Sequence, residues 1–293
     1  ATAAATLPLT PCQIQHPARV SVVNAECGTL EVLENPREPN GRKIGLRVAK
    51  VRAISQRKFP DPLFLLAGGP GSAATDLYAQ AAPAFARILR DRDIVLLDQR
   101  GTGRSNALLC SLDEEELMRP SGDIIVTETK RCLTELSARA DVAYYTTSVA
   151  VQDLDRVRAA LGYEHINLYG SSYGTRVAQH YLRKFPERTR AVILDGVVAP
   201  DTPLGPSIAL DAERALTSIF DRCSRETSCR ERFGDPSIAY RALRTSLEAQ
   251  PIDVDISDPT TGEPERMEFG SLHLATVLRL ATYTSEEAAK LPL

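Results

Sequence analysis

The sequence lacks several features that mark common classes of protein. No apolar run approaches the ~20 residues that a bilayer-spanning helix requires. The 35 basic and 38 acidic residues give a net charge of −3, without the excess of one sign that nucleic acid or an anionic membrane would attract. No C-x-x-C pair is present, which argues against a zinc site or a thioredoxin-like motif. We therefore expect no nucleic-acid partner, no membrane, no metal and no cofactor.

The cysteines and the N-terminal residues indicate an oxidising compartment. The six cysteines are neighbours in sequence, Cys12 with Cys27, Cys110 with Cys132, and Cys223 with Cys229. This spacing fits three local disulfides, and buried free thiols in a cytosolic enzyme are the alternative. Residues 1–8 are small and polar and carry no start methionine, which is typical of a chain whose signal peptide has been removed. We expect a secreted or periplasmic protein.

The distribution of apolar runs predicts an α/β protein. Four buried strands are predicted to end at residues 67, 97, 169 and 194, with helical segments between them, as in a parallel sheet covered by helices. Two further strands are predicted at 19–23 and 43–51, and helices at 79–89 and 149–161. Beyond residue 200, helices are predicted at 201–216, 238–249 and 271–281, with a loop closed by Cys223 and Cys229 and polar turns at 252–268. This change divides the chain into a core, 1–200, and a helical lid or cap region, 201–293.

The stretch Gly170-Ser171-Ser172-Tyr173-Gly174 lies between an apolar run and a helical pattern. This order of strand, turn and helix is the context that the G-x-S-x-G motif of a nucleophile elbow requires. It places Ser172 on a tight turn, where a glycine on each side leaves room for a strained backbone. The motif alone occurs by chance in roughly one chain of this length in ten. Its meaning therefore depends on the flanking chain.

Two other loops follow predicted strands. Residues 68–72, Gly-Gly-Pro-Gly-Ser, end the first buried strand, where Gly69 is placed to aim its N–H at a developing oxyanion. A plain tight turn is the alternative, whereas a phosphate-binding loop is disfavoured because the Walker lysine and the G-x-G-x-x-G spacing are absent. Residues 98–105 read Asp-Gln-Arg-Gly-Thr-Gly-Arg-Ser. We interpret Asp98 and Arg100 as structural charges that pair with each other or cap turns, catalytic roles being the alternative.

In their order and spacing, these three motifs resemble those of α/β-hydrolases related to proline iminopeptidases and secreted tripeptidyl aminopeptidases. The resemblance implies an α/β-hydrolase fold, a mostly parallel sheet with helices on both faces and a helical lid insertion. It also implies that Ser172 is the nucleophile and that the backbone N–H groups of Gly69 and Tyr173 are the oxyanion donors. Ala67 occupies the position where proline iminopeptidases usually have histidine, which favours the tripeptidyl aminopeptidase branch.

The sequence offers no convincing triad acid or histidine, which in this fold follow the nucleophile along the chain. Of the four histidines, His16 and His165 precede the elbow, His180 lies on its helix, and His273 lies inside the predicted lid. Asp195, at the end of the next strand, is a candidate for a displaced acid, and a turn or cap carboxylate is the alternative. We expect that the chain stops within or just after the lid, so that a separate C-terminal segment completes the fold or the chain is a fragment.

These features favour a serine hydrolase of the aminopeptidase type, which cleaves N-terminal residues or short peptides from a peptide substrate through an acyl-enzyme. An esterase or amidase acting on another acyl substrate is one alternative. A non-catalytic binding protein on the same fold is another, because a serine without its base loses most of its activation. Lid carboxylates such as Asp211 or Glu213 are candidates to bind the α-amine of a peptide.

Overall fold

A computed structural model describes residues 6–111, 122–258 and 261–293. Its contacts divide the chain into two compact units, the first within Ala1–Cys110 and Leu133–Thr202, the second within Ser111–Cys132 and Pro203–Leu293. The sequence-based division at residue 200 kept residues 111–132 with the core, whereas the structure groups their described part with the second unit.

The first unit is organised around a seven-stranded sheet, in which β5, β4, β6 and β7 run parallel and β1, β2 and β3 form an antiparallel extension beside β5. Its order is β1-β2-β3-β5-β4-β6-β7. The strands are β1 (Thr10–Gln15), β2 (Val22–Leu33), β3 (Lys43–Val51), β4 (Leu63–Leu66), β5 (Ile94–Leu97), β6 (Ile166–Ser171) and β7 (Thr189–Asp195). The four predicted strand ends lie close to those observed. The prediction missed β1 and most of β2. The strand predicted at 19–23 begins too early, because β2 starts only at Val22.

Helices cover both faces of this sheet. Up to residue 188 the helices are α1 (Ala74–Ala81), α2 (Ala86–Leu89), α3 (Gly122–Arg139), α4 (Thr147–Ala160) and α5 (Tyr173–Lys184), with 3₁₀ turns at Ala82–Phe85, Val142–Tyr144 and Pro186–Arg188; residues 122–132 of α3 belong to the second unit. Apolar residues of α4 and α5 pack on one face, and those of α1 and its 3₁₀ turn pack on the other. The segment predicted to be helical at 79–89 is helical throughout but begins at Ala74, and a 3₁₀ turn interrupts it because Pro83 lacks an N–H to continue the α-helical hydrogen bonds.

The second unit is mostly helical. It contains α6 (Ile208–Arg225), α7 (Thr227–Phe233), α8 (Pro236–Ala249), β8 (Ile252–Ser257), β9 (Pro264–Phe269), α9 (Ser271–Ala281) and α10 (Ser285–Lys290). Two predictions fail here. Helix α6 begins at Ile208 rather than 201, after a stretch that contains Pro203 and Pro206. The predicted turns at 252–268 include an antiparallel hairpin, which the alternation of Ile252, Val254 and Ile256 with polar residues indicates in retrospect.

Disulfides join two of the three predicted cysteine pairs directly. Cys12 bonds Cys27 between β1 and β2, and Cys223 bonds Cys229 between α6 and α7, where a loop had been predicted. Cys110 and Cys132 are also in disulfide form, and the described residues contain no free cysteine. The alternative of buried free thiols is therefore excluded. Among the described residues, no helix has both the length and the apolar character needed to cross a bilayer.

Candidate functional site

Ser172 occupies the turn between a strand and a helix. Strand β6 ends at Ser171 and helix α5 begins at Tyr173, so the predicted order of strand, turn and helix is present. The backbone of Ser172 has φ 53° and ψ −120°, a combination that L-residues adopt only when the surrounding structure imposes it. Its N–H donates a 2.8 Å hydrogen bond to the carbonyl oxygen of Asp195, and its side chain is exposed. The turn therefore presents the Ser172 hydroxyl to solvent on a strained backbone.

The glycine after Ser172 allows helix α5 to approach strand β4. A Cβ atom built on Gly174 would lie 2.0 Å from the carbonyl oxygen of Leu66, so no other residue fits there without displacement of the backbone. The elbow glycine thus serves close packing between helix and strand, as the motif predicts.

The glycine-rich turn after β4 lies against the elbow. A Cβ atom built on Gly68 would lie 3.0 Å from Cβ and 3.5 Å from Oγ of Ser172, although more than 100 residues separate the two in sequence. The next residue, Gly69, has φ 103° and precedes a cis peptide bond to Pro70. Tyr173 is the first residue of α5, so its N–H has no acceptor within the helix. The fold therefore brings the glycine turn next to Ser172. This position is required if the N–H of Gly69 is one of the two oxyanion donors.

The 98–105 loop is structural in its contacts. Asp98 is fully buried and accepts hydrogen bonds from the N–H of Thr75 at 3.0 Å, its hydroxyl at 2.9 Å and the N–H of Arg104 at 3.2 Å. Arg100 donates from Nε to Asp153 at 2.6 Å. Of the two structural roles predicted, pairing with each other is not observed, whereas Asp98 does cap the backbone N–H groups of Thr75 and Arg104. No local pattern indicates this pairing, since Asp153 lies 53 residues from Arg100 in the sequence.

None of the four histidines is hydrogen-bonded to Ser172 in the described part of the chain. Nδ1 of His16 accepts from the N–H of Ala18 at 3.0 Å, and Nδ1 of His273 accepts from the N–H of Gly270 at 3.1 Å, where it caps helix α9. His165 is exposed just before β6. His180 lies on α5, where burial and the nearby positive charges of α5 lower the pKa of its imidazole. His16 and His273 thus have local hydrogen-bonding roles, and no histidine in the described residues is hydrogen-bonded to Ser172 as a base would be.

Asp195 is the carboxylate attached most directly to the elbow. Its carbonyl accepts from Ser172, and its Oδ2 accepts a hydrogen bond from the hydroxyl of Tyr169. Burial, together with this carboxylate, raises the pKa of Tyr169 to about 12, so the phenol remains a donor at neutral pH. The Asp195 carboxylate is therefore held by a tyrosine, and a role as triad acid remains a prediction.

The two candidate lid carboxylates differ in their surroundings. Asp211 accepts from Arg214 at 2.7 Å on the surface of α6. Glu213, two residues further along the helix, lines a largely apolar cavity of about 500 Å³ within the second unit, together with Leu216 and Tyr240. No group of three or more His, Cys, Asp or Glu side chains in the described ranges is placed to hold a metal ion.

A partly parallel sheet that presents a serine on a strained strand-to-helix turn, beside a glycine turn from the neighbouring strand, defines the α/β-hydrolase class. The family model described as alpha/beta hydrolase fold matches residues 61–218, more than half of the chain, and the chain belongs to this family. The predicted fold is thereby confirmed.

Curated relatives carry names of two kinds of hydrolase. Serine protease Hip1 of Mycobacterium tuberculosis is 27% identical over 92% of this chain and 56% of its own. Carboxylesterase B of the same species is 36% identical over 70% of this chain and 43% of its own. Tripeptidyl aminopeptidase of Streptomyces lividans is 28% identical over 60% of this chain and 36% of its own. The resemblance to aminopeptidases is thus confirmed, and the chain spans about half the length of the curated relatives that it matches, or less.

Proposed function

We propose that this chain carries the nucleophile and the oxyanion donors of a serine peptidase that releases N-terminal residues or short peptides. The observation that carries the proposal is Ser172 on its strained turn beside Gly68. The Oγ of Ser172 attacks the substrate carbonyl, and the N–H groups of Gly69 and Tyr173 bind the oxyanion of the tetrahedral intermediate. The amine then departs, and water hydrolyses the acyl-enzyme. Relatives named serine protease and tripeptidyl aminopeptidase support the choice of a peptide substrate.

The proposal assigns the general base and its acid to a further polypeptide segment outside these 293 residues. Three observations support this: no histidine of the described residues is hydrogen-bonded to Ser172, the matched relatives are longer, and β7 is the outermost strand of the described sheet. On that last strand, Ile193 is 47% and Leu194 36% exposed, which is unusual for apolar residues of a central α/β sheet. A segment that pairs with the outer edge of β7 would cover these side chains and complete the site.

An esterase is the second candidate, because the relative named carboxylesterase B is 36% identical. The test is to assay aminoacyl and tripeptidyl p-nitroanilides beside short-chain p-nitrophenyl esters, using the whole gene product that contains these residues. We expect amide turnover that disappears in Ser172→Ala, and turnover by the 293-residue chain alone that is far slower. Ester turnover without amide turnover would favour the esterase. An absence of fluorophosphonate labelling at Ser172 would instead indicate a binding protein without catalysis.

We also infer that the protein works outside the cytoplasm, in a secreted or periplasmic location. The support is the disulfide state of all its cysteines, which persists in oxidising compartments. Fractionation of the source cells tests this inference, and recovery of the protein with reduced cysteines in the cytoplasm would contradict it.

A further inference from the structure

Thr175 lies three residues after the candidate nucleophile and is fully buried. Its hydroxyl donates a 2.7 Å hydrogen bond to the carbonyl oxygen of Ser172 and accepts a 2.8 Å hydrogen bond from the N–H of Val198. Its own N–H donates to the same Ser172 carbonyl at 2.9 Å. The Ser172 carbonyl therefore accepts two hydrogen bonds from Thr175, one from the hydroxyl and one from the backbone N–H.

The Ser172 carbonyl and the Tyr173 N–H belong to the same peptide group. Because that group is planar and trans, the direction of the carbonyl determines the direction of the N–H on the opposite side. Whatever holds the Ser172 oxygen also aims the Tyr173 N–H, the proposed oxyanion donor. An oxyanion donor contributes through its direction, since it must point at the place where charge develops.

The Val198 N–H, which donates to the Thr175 hydroxyl, is itself held in place. Val198 belongs to the segment that follows β7, and its carbonyl accepts from Nε2 of Gln179 at 3.0 Å. In the same segment, the carbonyl of Ala199 accepts from Nη2 of Arg176 at 2.8 Å. Side chains of helix α5 thus make three hydrogen bonds to the 198–199 backbone, and these bonds fix the direction of the Val198 N–H. Its hydrogen bond orients the hydroxyl proton of Thr175 towards the Ser172 carbonyl.

We propose that Thr175 is a positioning residue for the oxyanion hole: the relay from Val198 through the Thr175 hydroxyl to the Ser172 carbonyl sets the direction of the Tyr173 N–H. This inference rests on the proposed function of Ser172 and adds to it a residue that touches neither substrate nor nucleophile hydroxyl. It also explains why a polar side chain is fully buried here, since both its donor and its acceptor are used.

The kinetic test compares Thr175→Val, which keeps the shape but removes the hydroxyl, with Thr175→Ser, which keeps the hydroxyl. In the whole gene product we expect Thr175→Val to lower kcat at least 10-fold with KM changed less than twofold, and Thr175→Ser to stay within threefold of the wild type. The matched control is Thr189→Val, because the Thr189 hydroxyl also donates to a backbone carbonyl, that of Phe185 at 3.0 Å, at the other end of α5. Its kcat should remain unchanged.

Equal kcat values for the valine and serine variants, or an equal loss in Thr189→Val, would overturn the proposal. If Thr175→Val does not fold, Thr175→Cys takes its place, because a thiol is a weak hydrogen-bond donor. We expect the kcat of Thr175→Cys to be lower than that of Thr175→Ser, because the thiol donates only weakly to the Ser172 carbonyl. Equal kcat values for Thr175→Cys and Thr175→Ser would contradict the relay.

Amide NMR of the whole gene product separates this inference from the proposed function, because it needs no turnover. In Thr175→Val we expect faster hydrogen exchange at Val198, which loses its acceptor, and a changed chemical shift for the Tyr173 N–H. Thr175→Ser should preserve both signals. If the gene product hydrolyses none of the substrates, the proposed function fails, yet an altered Tyr173 signal still supports the relay. An unaltered Tyr173 signal overturns it.

Discussion

Arg100 and Asp153 form a salt bridge that solvent does not reach, with Nε 2.6 Å from Oδ2 and each side chain 1% exposed. The bridge ties the 98–105 loop to helix α4. Both hydrogens of Arg100 Nη1 are also used, since this atom donates to the carbonyls of Glu34 at 2.8 Å and Tyr144 at 3.0 Å. A single guanidinium therefore connects three segments of the first unit, and this explains the arginine of the 98–105 motif without any catalytic role.

Arg100→Leu is expected to lower the free energy of unfolding by about 3–5 kcal/mol, because it leaves the carboxylate of Asp153 buried without its main partner. Arg156→Leu is the matched control. Its guanidinium contacts the same carboxylate at 3.2 Å but is 40% exposed, so the loss should stay below about 1 kcal/mol. Urea unfolding followed by circular dichroism measures both, since the sequence has no tryptophan. Equal losses would contradict the assigned importance of burial.

The backbone strain at Ser172 predicts an inverted preference between alanine and glycine. Ser172→Gly should be about 1–2 kcal/mol more stable than Ser172→Ala, because glycine adopts φ 53° without a Cβ penalty. At Ser171, the last residue of strand β6, the order should reverse by about 0.5–1 kcal/mol. Thermal unfolding of the four variants decides the matter. An alanine variant that is the more stable one at both positions would show that the turn is unstrained.

Glu26 is expected to make stability depend on acid pH. A hydrogen bond from Arg52 is the largest cause that lowers the pKa of the Glu26 carboxyl, and Lys50, 3.0 Å away, lowers it further. The pKa falls to about 2, compared with a pKa of ~4.3 in an unfolded chain. Because the folded state has the lower pKa, the stabilisation is complete above about pH 5 and is lost as the pH falls towards 2. The wild type should therefore exceed Glu26→Gln by about 1 kcal/mol at pH 6, with the difference vanishing near pH 2.

The control for this pH dependence is Glu31→Gln on the same strand. Glu31 is 72% exposed and lies 3.8 Å from Lys43, so we expect almost no change in the free energy of unfolding at either pH. Parallel pH profiles for the wild type and Glu26→Gln would refute the assignment.

Gly174 is expected to be intolerant of any side chain. Gly174→Ala should lower the free energy of unfolding by about 3 kcal/mol, because the new Cβ would meet the Leu66 carbonyl oxygen at 2.0 Å. Gly162→Ala separates this clash from the cost of backbone conformation. Gly162 has φ 77° and no atom within 4 Å of its Cβ position, so its substitution should cost about 1 kcal/mol. Similar losses in calorimetry would remove the steric explanation.

Local patterns predicted the parts of this molecule that depend on local forces. The apolar runs before residues 67, 97, 169 and 194 correspond to β4, β5, β6 and β7, because a strand buried on both faces needs an almost unbroken run of apolar residues. The strand-to-helix turn at Ser172 was predicted because glycines are required on both sides of it. Strand β1 and the hairpin of β8 and β9 were missed, since short and partly polar strands depend on their partners more than on their own residues.

The amino-acid sequence alone predicted the elbow and the glycine turn, because each is encoded in consecutive residues with distinctive backbone requirements, and the resemblance of the three motifs to those of α/β-hydrolases predicted the class. Only the tertiary structure showed that Gly68 lies beside Ser172, that Arg100 pairs with Asp153, and that Thr175 links Ser172 to Val198. The first two of these contacts join residues far apart in the chain, and the third joins helix α5 to the segment that follows β7. Such contacts depend on strand order, register and helix packing, which no local pattern of residues specifies.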